Sequence, residues 1–242
     1  MAAARIPEDK RCPSGIEDLD KVIGGGFPRG GTVHITGCCG CGKTSLAMEF
    51  LVRGALKKEK GVYVSTTKSP EKVMSGIVAL DIFDEKTKNG KALTFIDLED
   101  LTQKLQDPKR PLGRTAALEL LNHIEEAVDR SGAKRLVIDP ISPLLMDMEP
   151  GVEREFIKKL GERMYKKRCT TVLITEGEAD EWMIPLAADG IISMTDLERN
   201  GDFLRVLRVL KMSGAEHSRS RYVFDITSCG ILMTPLIRGG KF

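Results

Sequence analysis

Three glycines, a lysine and a threonine fall within eight residues near the start of the chain, in the order Gly37-Cys38-Cys39-Gly40-Cys41-Gly42-Lys43-Thr44. Glycines at this spacing let the backbone turn tightly, so that several N–H groups point at one anion. A lysine in this position reaches the β- and γ-phosphates of a nucleotide, and a threonine hydroxyl suits Mg²⁺, which prefers oxygen ligands. The residue types predict a phosphate-binding loop that extends to Ser45, with Lys43 as its catalytic cation.

The sequence on either side supplies the elements that such a loop needs. Residues 32–35 are an apolar run typical of a short buried strand, and residues 44 to about 58 have the pattern of an amphipathic helix with a basic end. A helix that begins at the loop adds the partial positive charge of its N-terminus. Strand, glycine loop, Gly-Lys-Thr and helix together form a Walker A arrangement.

Two later strands end in residues that could complete the site. The apolar run at 135–138 ends at Asp139, which suits a Walker B carboxylate that holds Mg²⁺ through water. We expect its carboxylate to sit beside the first strand, although an aspartate before Pro140 also suits a turn. Thr175 and Glu176 end the next strand, at the sheet edge where ligands collect. They serve either as a γ-phosphate sensor or as an ordinary strand exit.

Apolar runs alternate with amphipathic segments along most of the chain, and strands alone follow residue 188. This pattern predicts an α/β fold, with a mainly parallel central sheet flanked by helices and an antiparallel edge at the C-terminal end. We expect one domain over residues 1–242, with 1–11 as a loose lead-in, 98–113 as a polar surface excursion and a hairpin turn at Cys229-Gly230. Further predicted helices cover 71–80, 114–131 and 153–167, and further strands cover 61–65, 92–97, 135–139, 170–176, 188–194, 203–210, 222–226 and 231–233.

Charge and hydropathy exclude several classes of protein. Lysine and arginine number 37 and the acidic residues 35, a balance that argues against a protein that coats a polyanion. Apolar runs stay well below the roughly 20 residues of a membrane span, and the first residues lack the apolar core of a signal peptide. The sequence therefore predicts a soluble, cytoplasmic protein with no membrane partner.

Three of the six cysteines, Cys38, Cys39 and Cys41, lie in the phosphate-binding loop. Their spacing is not that of a paired zinc site. The simplest interpretation is that small side chains are tolerated at the variable positions of the loop. Redox control is a second hypothesis, because a thiol at a helix N-terminus near a lysine tends to have a lowered pKa and to oxidise readily.

Several motifs resemble, in order, the KaiC-like branch of the RecA-superfamily ATPases. They are residues 14–20, 24–30, 37–44, 135–144, 171–176 and 207–217. The resemblance covers essentially the whole chain as a single copy of the domain. It implies a RecA-like P-loop NTPase fold that binds ATP or ADP with Mg²⁺ between the subunits of a homo-oligomer, usually a hexameric ring. Lys211 and His217 would then reach the nucleotide of the neighbouring subunit.

This chain departs from the family pattern at two positions. Thr67 and Lys68 stand where the family has a pair of glutamates, one of which activates the attacking water, and Ser213 stands where an arginine finger is common. Neither threonine nor a protonated lysine is a good base at neutral pH. We therefore expect a slow or regulated ATPase that acts as a nucleotide-dependent oligomeric switch, with Glu176 as the candidate catalytic base.

Three other functions remain open at this stage. The first is a RadA- or RecA-like recombinase paralogue that assists DNA recombination or repair. The candidate pore loops at 146–153 and 176–182 are acidic, however, and Trp182 lies among carboxylates, so DNA is not favoured. A basic face elsewhere could come from Arg199, Arg205, Arg208, Arg219 and Arg221. The second is a non-hydrolysing ATP-binding module in signalling or motility machinery with an unidentified protein partner, and the third is autophosphorylation at Thr66, Thr67 or Ser69.

Overall fold

The computed structural model describes residues 10–67, 69–77, 92–105, 110–177, 184–199 and 201–236. Its strands are β1 (Arg11–Cys12), β2 (Phe27–Pro28), β3 (Thr32–Gly37), β4 (Gly61–Ser65), β5 (Leu93–Asp97), β6 (Arg135–Asp139), β7 (Thr170–Ile174), β8 (Gly190–Arg199), β9 (Asp202–Met212), β10 (Arg221–Thr227) and β11 (Gly230–Pro235). Its helices are α1 (Glu17–Val22), α2 (Lys43–Leu56), α3 (Pro70–Ile77), α4 (Glu99–Leu105), α5 (Arg114–Ser131), α6 (Ser142–Met146), α7 (Val152–Lys166) and α8 (Ile184–Ala187).

One twisted sheet organises the fold, with the strand order β11-β10-β9-β8-β3-β7-β6-β4-β5. Strands β8, β3, β7, β6, β4 and β5 run parallel, and β9, β10 and β11 extend the sheet by antiparallel pairing. Strands β3, β4, β6 and β7 are buried along their whole length, as expected where helices cover both faces of a parallel sheet. The predicted α/β architecture with an antiparallel C-terminal edge is confirmed.

The core consists of two apolar layers, one on each face of the sheet. Alternate residues of a strand point to opposite faces, so Val33 and Ile35 pack with helix α2 on one side. On the other side, Leu136 and Ile138 pack with helices α5 and α7. Helix α5 begins and ends where the sequence predicted, because its apolar residues keep a helical period and Gly132 ends it in the left-handed conformation.

The segment 98–113 was expected to be a polar surface excursion, and that prediction is wrong for its first part. Helix α4 forms there because Leu98 is fully buried and Leu101 and Leu105 pack against the core. The Asp97 carboxylate accepts a hydrogen bond of 2.8 Å from the backbone N–H of Glu99 at the start of the helix. In the sequence, Leu98, Leu101 and Leu105 recur at helical spacing, and this pattern indicates the helix.

Three smaller differences concern the ends of the chain and the short connections. Arg11 is not part of a loose lead-in, because its guanidinium is buried and donates to the carbonyl oxygens of Ser213 (3.1 Å) and Gly214. The C-terminal hairpin pairs Thr227 with Gly230, so its turn residues are Ser228 and Cys229 rather than Cys229 and Gly230. Helix α6 was not anticipated from the sequence.

Candidate nucleotide-binding site

The glycine loop lies between β3 and α2 at the centre of the sheet. Gly37, Gly40 and Gly42 have φ angles of 146°, 80° and 98°, conformations that side-chain-bearing residues rarely adopt. A Cβ at Gly37 would also clash with the carbonyl of Met194 in strand β8. Helix α2 begins at Lys43, so its first backbone N–H groups and its partial positive charge are at the loop. This is the geometry of an anion-binding cradle.

The ammonium group of Lys43 is turned toward the loop backbone. Its Nζ donates to the carbonyl oxygens of Gly37 at 2.8 Å and Cys38 at 2.6 Å, and the side chain is only 7% exposed. A buried cation bonded to neutral groups is poorly compensated, so a phosphate group at the loop would be a strong partner for it.

The Walker A and Walker B residues meet at one carboxylate oxygen. Thr44 Oγ1 donates to Asp139 Oδ2 at 2.7 Å, and Tyr63 Oη donates to the same oxygen at 2.9 Å. Burial and the negative charge of Asp139 raise the pKa of Tyr63, so the phenol stays protonated. A hydroxyl and a carboxylate in this arrangement are oxygen donors suited to Mg²⁺.

The sequence did not anticipate two features of this cluster. Strand β6, which carries Asp139, is separated from β3 by β7, which pairs with both strands. Asp139 nevertheless reaches Thr44, since the carboxyl ends of parallel strands meet at the same edge of the sheet. Tyr63 was not singled out, and its only signal was a phenol in an otherwise apolar strand that ends in Ser65.

A buried chain of hydrogen bonds runs behind the loop. His34 Nε2 is 2.7 Å from Thr175 Oγ1, Thr175 Oγ1 donates to Thr36 Oγ1 at 3.1 Å, and Thr36 Oγ1 donates to the carbonyl of Gly177 at 2.7 Å. Because each threonine hydroxyl has one proton and gives it to the next group, His34 must donate from Nε2. Its Nδ1 is then a buried acceptor without a hydrogen-bond partner. Sequence reasoning missed His34 in this role.

These bonds fix the segment that carries Glu176. Thr175 is fully buried, and both hydrogen bonds of its hydroxyl are directed inward. Its side chain therefore stabilises the end of strand β7. The N–H of Gly177 donates to the carbonyl of Gly37 at 3.2 Å. Glu176 lies between these two anchored residues, exposed and beside the start of the glycine loop.

Strand β10 and its hairpin turn cover the other side of the loop and helix α2. A Cβ at Gly42 would contact the Ile226 side chain at 2.7 Å, so β10 packs directly on the loop. Glu49 of helix α2 accepts a 2.8 Å bond from the N–H of Ile231, and Arg53 donates to the carbonyl of Cys229 at 3.0 Å. The hairpin is thus tied to the helix that begins at the phosphate-binding loop.

The three loop thiols differ in their surroundings. Cys39 is exposed, Cys38 is half-buried and Cys41 is fully buried. Burial raises the pKa of Cys41 to about 11, despite the opposing charge of Lys43. The expected lowering of the pKa is therefore wrong for Cys41. Within the described ranges, histidine, cysteine and acidic side chains form no group of three or more suited to a metal ion.

The residues predicted to reach a neighbouring subunit make contacts within their own chain. Lys211 Nζ donates to the carbonyl of Ala188 at 2.6 Å, and His217 lines a cleft together with Asp18 and Tyr222. Thr66 Oγ1 donates to the carbonyl of Pro140 at 2.6 Å. Among the other residues singled out in the sequence, Thr67 is exposed, and Ser45 and Ser69 are half-buried. Lys68 and Trp182 lie outside the described residues.

We expect His34 to make folding sensitive to mild acid. Burial lowers its pKa to about 4, whereas an unfolded histidine titrates near 6.5. Between these values only the unfolded chain binds the proton, so stability falls as the pH drops below about 6.5, by about 2 kcal/mol between pH 7.5 and 5. Urea unfolding of the unmodified protein and of His34→Gln at both pH values measures this contribution.

The glutamine of His34→Gln retains a donor toward Thr175 and does not titrate. Between pH 7.5 and 5 this variant should therefore lose about 2 kcal/mol less stability than the unmodified protein. His123→Gln, at a half-buried histidine of helix α5, is the control and should keep the full acid sensitivity. An identical pH dependence in His34→Gln and in the unmodified protein would contradict the assignment.

A glycine loop at the centre of a mainly parallel sheet, followed by a helix and faced by a strand-end aspartate, defines the class of P-loop ATPases. Within that class, the chain belongs to the KaiC ATPase family, which it matches over residues 12–237. The resemblance seen in the sequence motifs is thereby confirmed. Among the described residues, every helix is too short or too polar to cross a membrane.

The similar proteins agree with this assignment. A UPF0273 protein of Methanopyrus kandleri is 31% identical over 240 residues, which cover 93% of this chain and 92% of that protein. The circadian clock protein KaiC2 of Synechocystis is 28% identical over 234 residues, and the match spans 40% of its length. The crystal structure of a KaiC-like protein of Pyrococcus horikoshii superposes with a TM-score of 0.78 at 29% identity, covering 93% of this chain and 99% of that one. The RecA-like fold is therefore shown.

Proposed function

We propose that this protein binds Mg·ATP or Mg·ADP at the loop of residues 37–45. The observation that carries the proposal is the 2.7 Å hydrogen bond between Thr44 and Asp139, which joins the Walker A loop to the Walker B carboxylate. The loop amides and the N-terminus of α2 would hold the phosphates, and Lys43 would neutralise their charge. Mg²⁺, when bound, would stabilise the charge that develops on the phosphate oxygens during phosphoryl transfer.

Calorimetric titration with ATP, in Mg²⁺ or in EDTA, tests this proposal. We expect Mg²⁺ to increase the affinity of the unmodified protein, and Asp139→Asn to lose most of that increase. The matched control is Asp97→Asn at the end of β5, because the asparagine can still accept the bond from the N–H of Glu99. Equal Mg²⁺ dependence in Asp139→Asn and Asp97→Asn would contradict the assigned metal site.

We infer that hydrolysis is slow, and that nucleotide occupancy rather than turnover is the functional signal. Thr66 is bonded to the Pro140 carbonyl and Thr67 is an exposed alcohol, so neither supplies a base. Glu176 is held beside the loop by the bonds of Thr175 and Gly177, which makes it the remaining candidate. Its exposure leaves it well hydrated, and water reduces the advantage that a preorganised site gives a base.

We expect turnover well below about 1 s⁻¹, and the double substitution Thr67→Glu and Lys68→Glu should raise it at least about tenfold. Release of inorganic phosphate under saturating Mg·ATP measures both values. Glu176→Gln tests whether Glu176 activates the attacking water in the unmodified protein. If it does, the substitution should reduce the residual activity. Turnover above about 1 s⁻¹ in the unmodified protein would mean that an effective base is already present.

We also propose that the nucleotide is bound between subunits of a homo-oligomer. The proposal rests on membership of the KaiC family, because the family resemblance implies nucleotide sites between subunits. In the single chain, Lys211 donates to the Ala188 carbonyl and His217 lines a cleft beside α1. Light scattering of one sample, with and without Mg·ATP, tests this. A ring that assembles with ATP and hydrolyses little would support a nucleotide-gated scaffold, and a monomer under both conditions would contradict it.

A further inference from the structure

Two of the loop cysteines, Cys38 and Cys41, flank the ammonium group of Lys43. Cys41 Sγ lies 3.9 Å from Lys43 Nζ, and the same Nζ donates to the Cys38 carbonyl at 2.6 Å. The Cys38 thiol is also among the groups that raise the pKa of Cys41. Cys38 Sγ also lies 3.6 Å from Asp196 Oδ2. Cys41 is fully buried, whereas Cys38 is half-buried and open to small solutes. The loop thus places a reachable thiol and a sheltered thiol, three residues apart, around one ammonium group.

We propose that Cys38 and Cys41 form a dithiol that a hydroperoxide converts to a disulfide, and that this disulfide prevents nucleotide binding at the loop. The inference rests on the proposed function, because it describes how that same phosphate-binding loop is regulated. The reagent is named by chemical class, since hydrogen peroxide and organic hydroperoxides carry the same reactive O–O bond.

The geometry selects this pair among the three thiols. Neighbouring Cα atoms are only about 3.8 Å apart, below the range of roughly 4.4 to 6.8 Å that disulfides prefer, so a bond between Cys38 and Cys39 is disfavoured. Gly40, with a φ of 80°, turns the chain between Cys38 and Cys41. Cys39 is exposed on this turn.

The chemistry balances in two steps. The Cys38 sulfur attacks the hydroperoxide, the O–O bond breaks, and one oxygen remains on sulfur as sulfenic acid while the other leaves as an alcohol or as water. The sulfur of Cys41 then attacks the sulfenic sulfur, and the departing hydroxide takes the Cys41 proton to form water. Two thiols and one hydroperoxide give one disulfide, one alcohol or water, and one water.

The disulfide alters the groups that hold phosphate. A sulfur–sulfur bond is about 2.05 Å long, much shorter than any contact between two thiols that are not covalently bonded, so the loop must tighten between residues 38 and 41. This movement displaces the Cys38 carbonyl, which accepts the bond from Lys43, and it turns the intervening amides away from a common point. Bound nucleotide should conversely hold the loop open and protect both thiols from oxidation.

The experiment compares each protein with itself, reduced and after treatment with hydrogen peroxide. Trypsin releases residues 30–43 as one peptide that contains all three loop cysteines and no other cysteine. We expect only Cys39 of this peptide to react with iodoacetamide after oxidation, and all three to react after dithiothreitol. The Kd for Mg·ATP should rise at least about tenfold on oxidation and recover on reduction.

Two variants and a protection test sharpen the result. Cys38→Ser should bind Mg·ATP equally before and after peroxide, whatever its own affinity, because the disulfide cannot form. Cys229→Ser, at an exposed cysteine in the hairpin turn, is the matched control and should remain as sensitive as the unmodified protein. Saturating Mg·ATP, added before peroxide, should slow the loss of iodoacetamide labelling at Cys38 and Cys41.

The outcomes separate this inference from the proposed function. A mapped disulfide between Cys38 and Cys41 that leaves the Kd unchanged overturns the inference, and so does a disulfide that involves Cys39 or a second molecule. If the reduced protein binds no nucleotide, the proposed function fails. Labelling of the peptide still decides in that case whether the dithiol exists.

Discussion

Lys43→Ala should weaken the binding of Mg·ATP by about 100-fold or more, because a charge-assisted hydrogen bond to a phosphate contributes about 1.5 to 3 kcal/mol and Lys43 would make more than one. The side chain is buried at the loop with its Nζ bonded to two backbone carbonyls. Alanine removes both the positive charge and this brace of the loop. Isothermal titration calorimetry with ATP in the presence of Mg²⁺ measures the loss.

The same helix offers a matched control. Lys57 is exposed at the C-terminal end of α2, far from the loop, so Lys57→Ala removes an equal charge without touching the phosphate cradle. We expect it to bind as the unmodified protein does. Circular dichroism would verify that both variants are folded. If Lys43→Ala bound Mg·ATP within about threefold of the control, the loop could not be the nucleotide site.

The sequence predicted the site well where function depends on one contiguous motif. The glycines at 37, 40 and 42 and the lysine and threonine after them identify the loop, because few other structures require those residue types at that spacing. Asp139 could be found because an apolar strand that ends in a carboxylate is itself a local pattern. These predictions needed no knowledge of which strands are neighbours.

The surrounding network could not be predicted, because it depends on the order of the strands. The link from His34 to Thr175 exists only because β3 and β7 pair, and Tyr63 reaches Asp139 only because β4 and β6 pair. In the sequence, His34 is one histidine in a short strand between two apolar residues. The same limit explains why the sequence does not reveal that β7 lies between β3 and β6, since hydrophobic patterns identify strands without ordering them.

Helix α4 illustrates a different source of error. Charged residues and two prolines within 98–113 favoured a surface loop, yet the buried side chain of Leu98 anchors the start of a short helix. Burial of a few apolar side chains outweighed the local composition, because propensity is a weak guide where tertiary contacts are available. The hairpin that packs on Gly42 shows the same principle, since its contact with the loop joins residues far apart in sequence.

Arg135→Met should destabilise the fold by about 3 to 5 kcal/mol, the usual cost of breaking a buried ion pair from one side. Arg135 is 1% exposed at the start of β6. Its Nε and Nη2 donate to Glu59 at 2.7 and 2.6 Å, its Nη1 donates to the Phe50 carbonyl at 2.6 Å, and the guanidinium lies 4.5 Å from the centre of the Phe50 ring. Methionine fills similar space but satisfies none of these acceptors.

Glu59 shows why this loss would be large. Burial alone would raise the pKa of its carboxyl group, but hydrogen bonds and charge from Arg29 and Arg135 lower it instead. Without Arg135, the carboxylate would keep the 2.8 Å pair with Arg29 and the weak 3.9 Å hydrogen bond from the Cys12 thiol. Gly54 supports the same arrangement, because a Cβ at that position of helix α2 would clash with the guanidinium.

Thermal and urea unfolding of Arg135→Met measure the effect, and we expect the Tm to fall by about 10 °C. Arg154→Met, at an exposed arginine of helix α7, is the matched control and should change stability by less than about 0.5 kcal/mol. Arg135→Lys separates charge from geometry, because lysine keeps the charge but cannot bond Glu59 and the Phe50 carbonyl with one planar fork. A loss below about 1 kcal/mol in Arg135→Met would show that this arginine, although buried and bonded, does not hold β6 to the helix of the phosphate-binding loop.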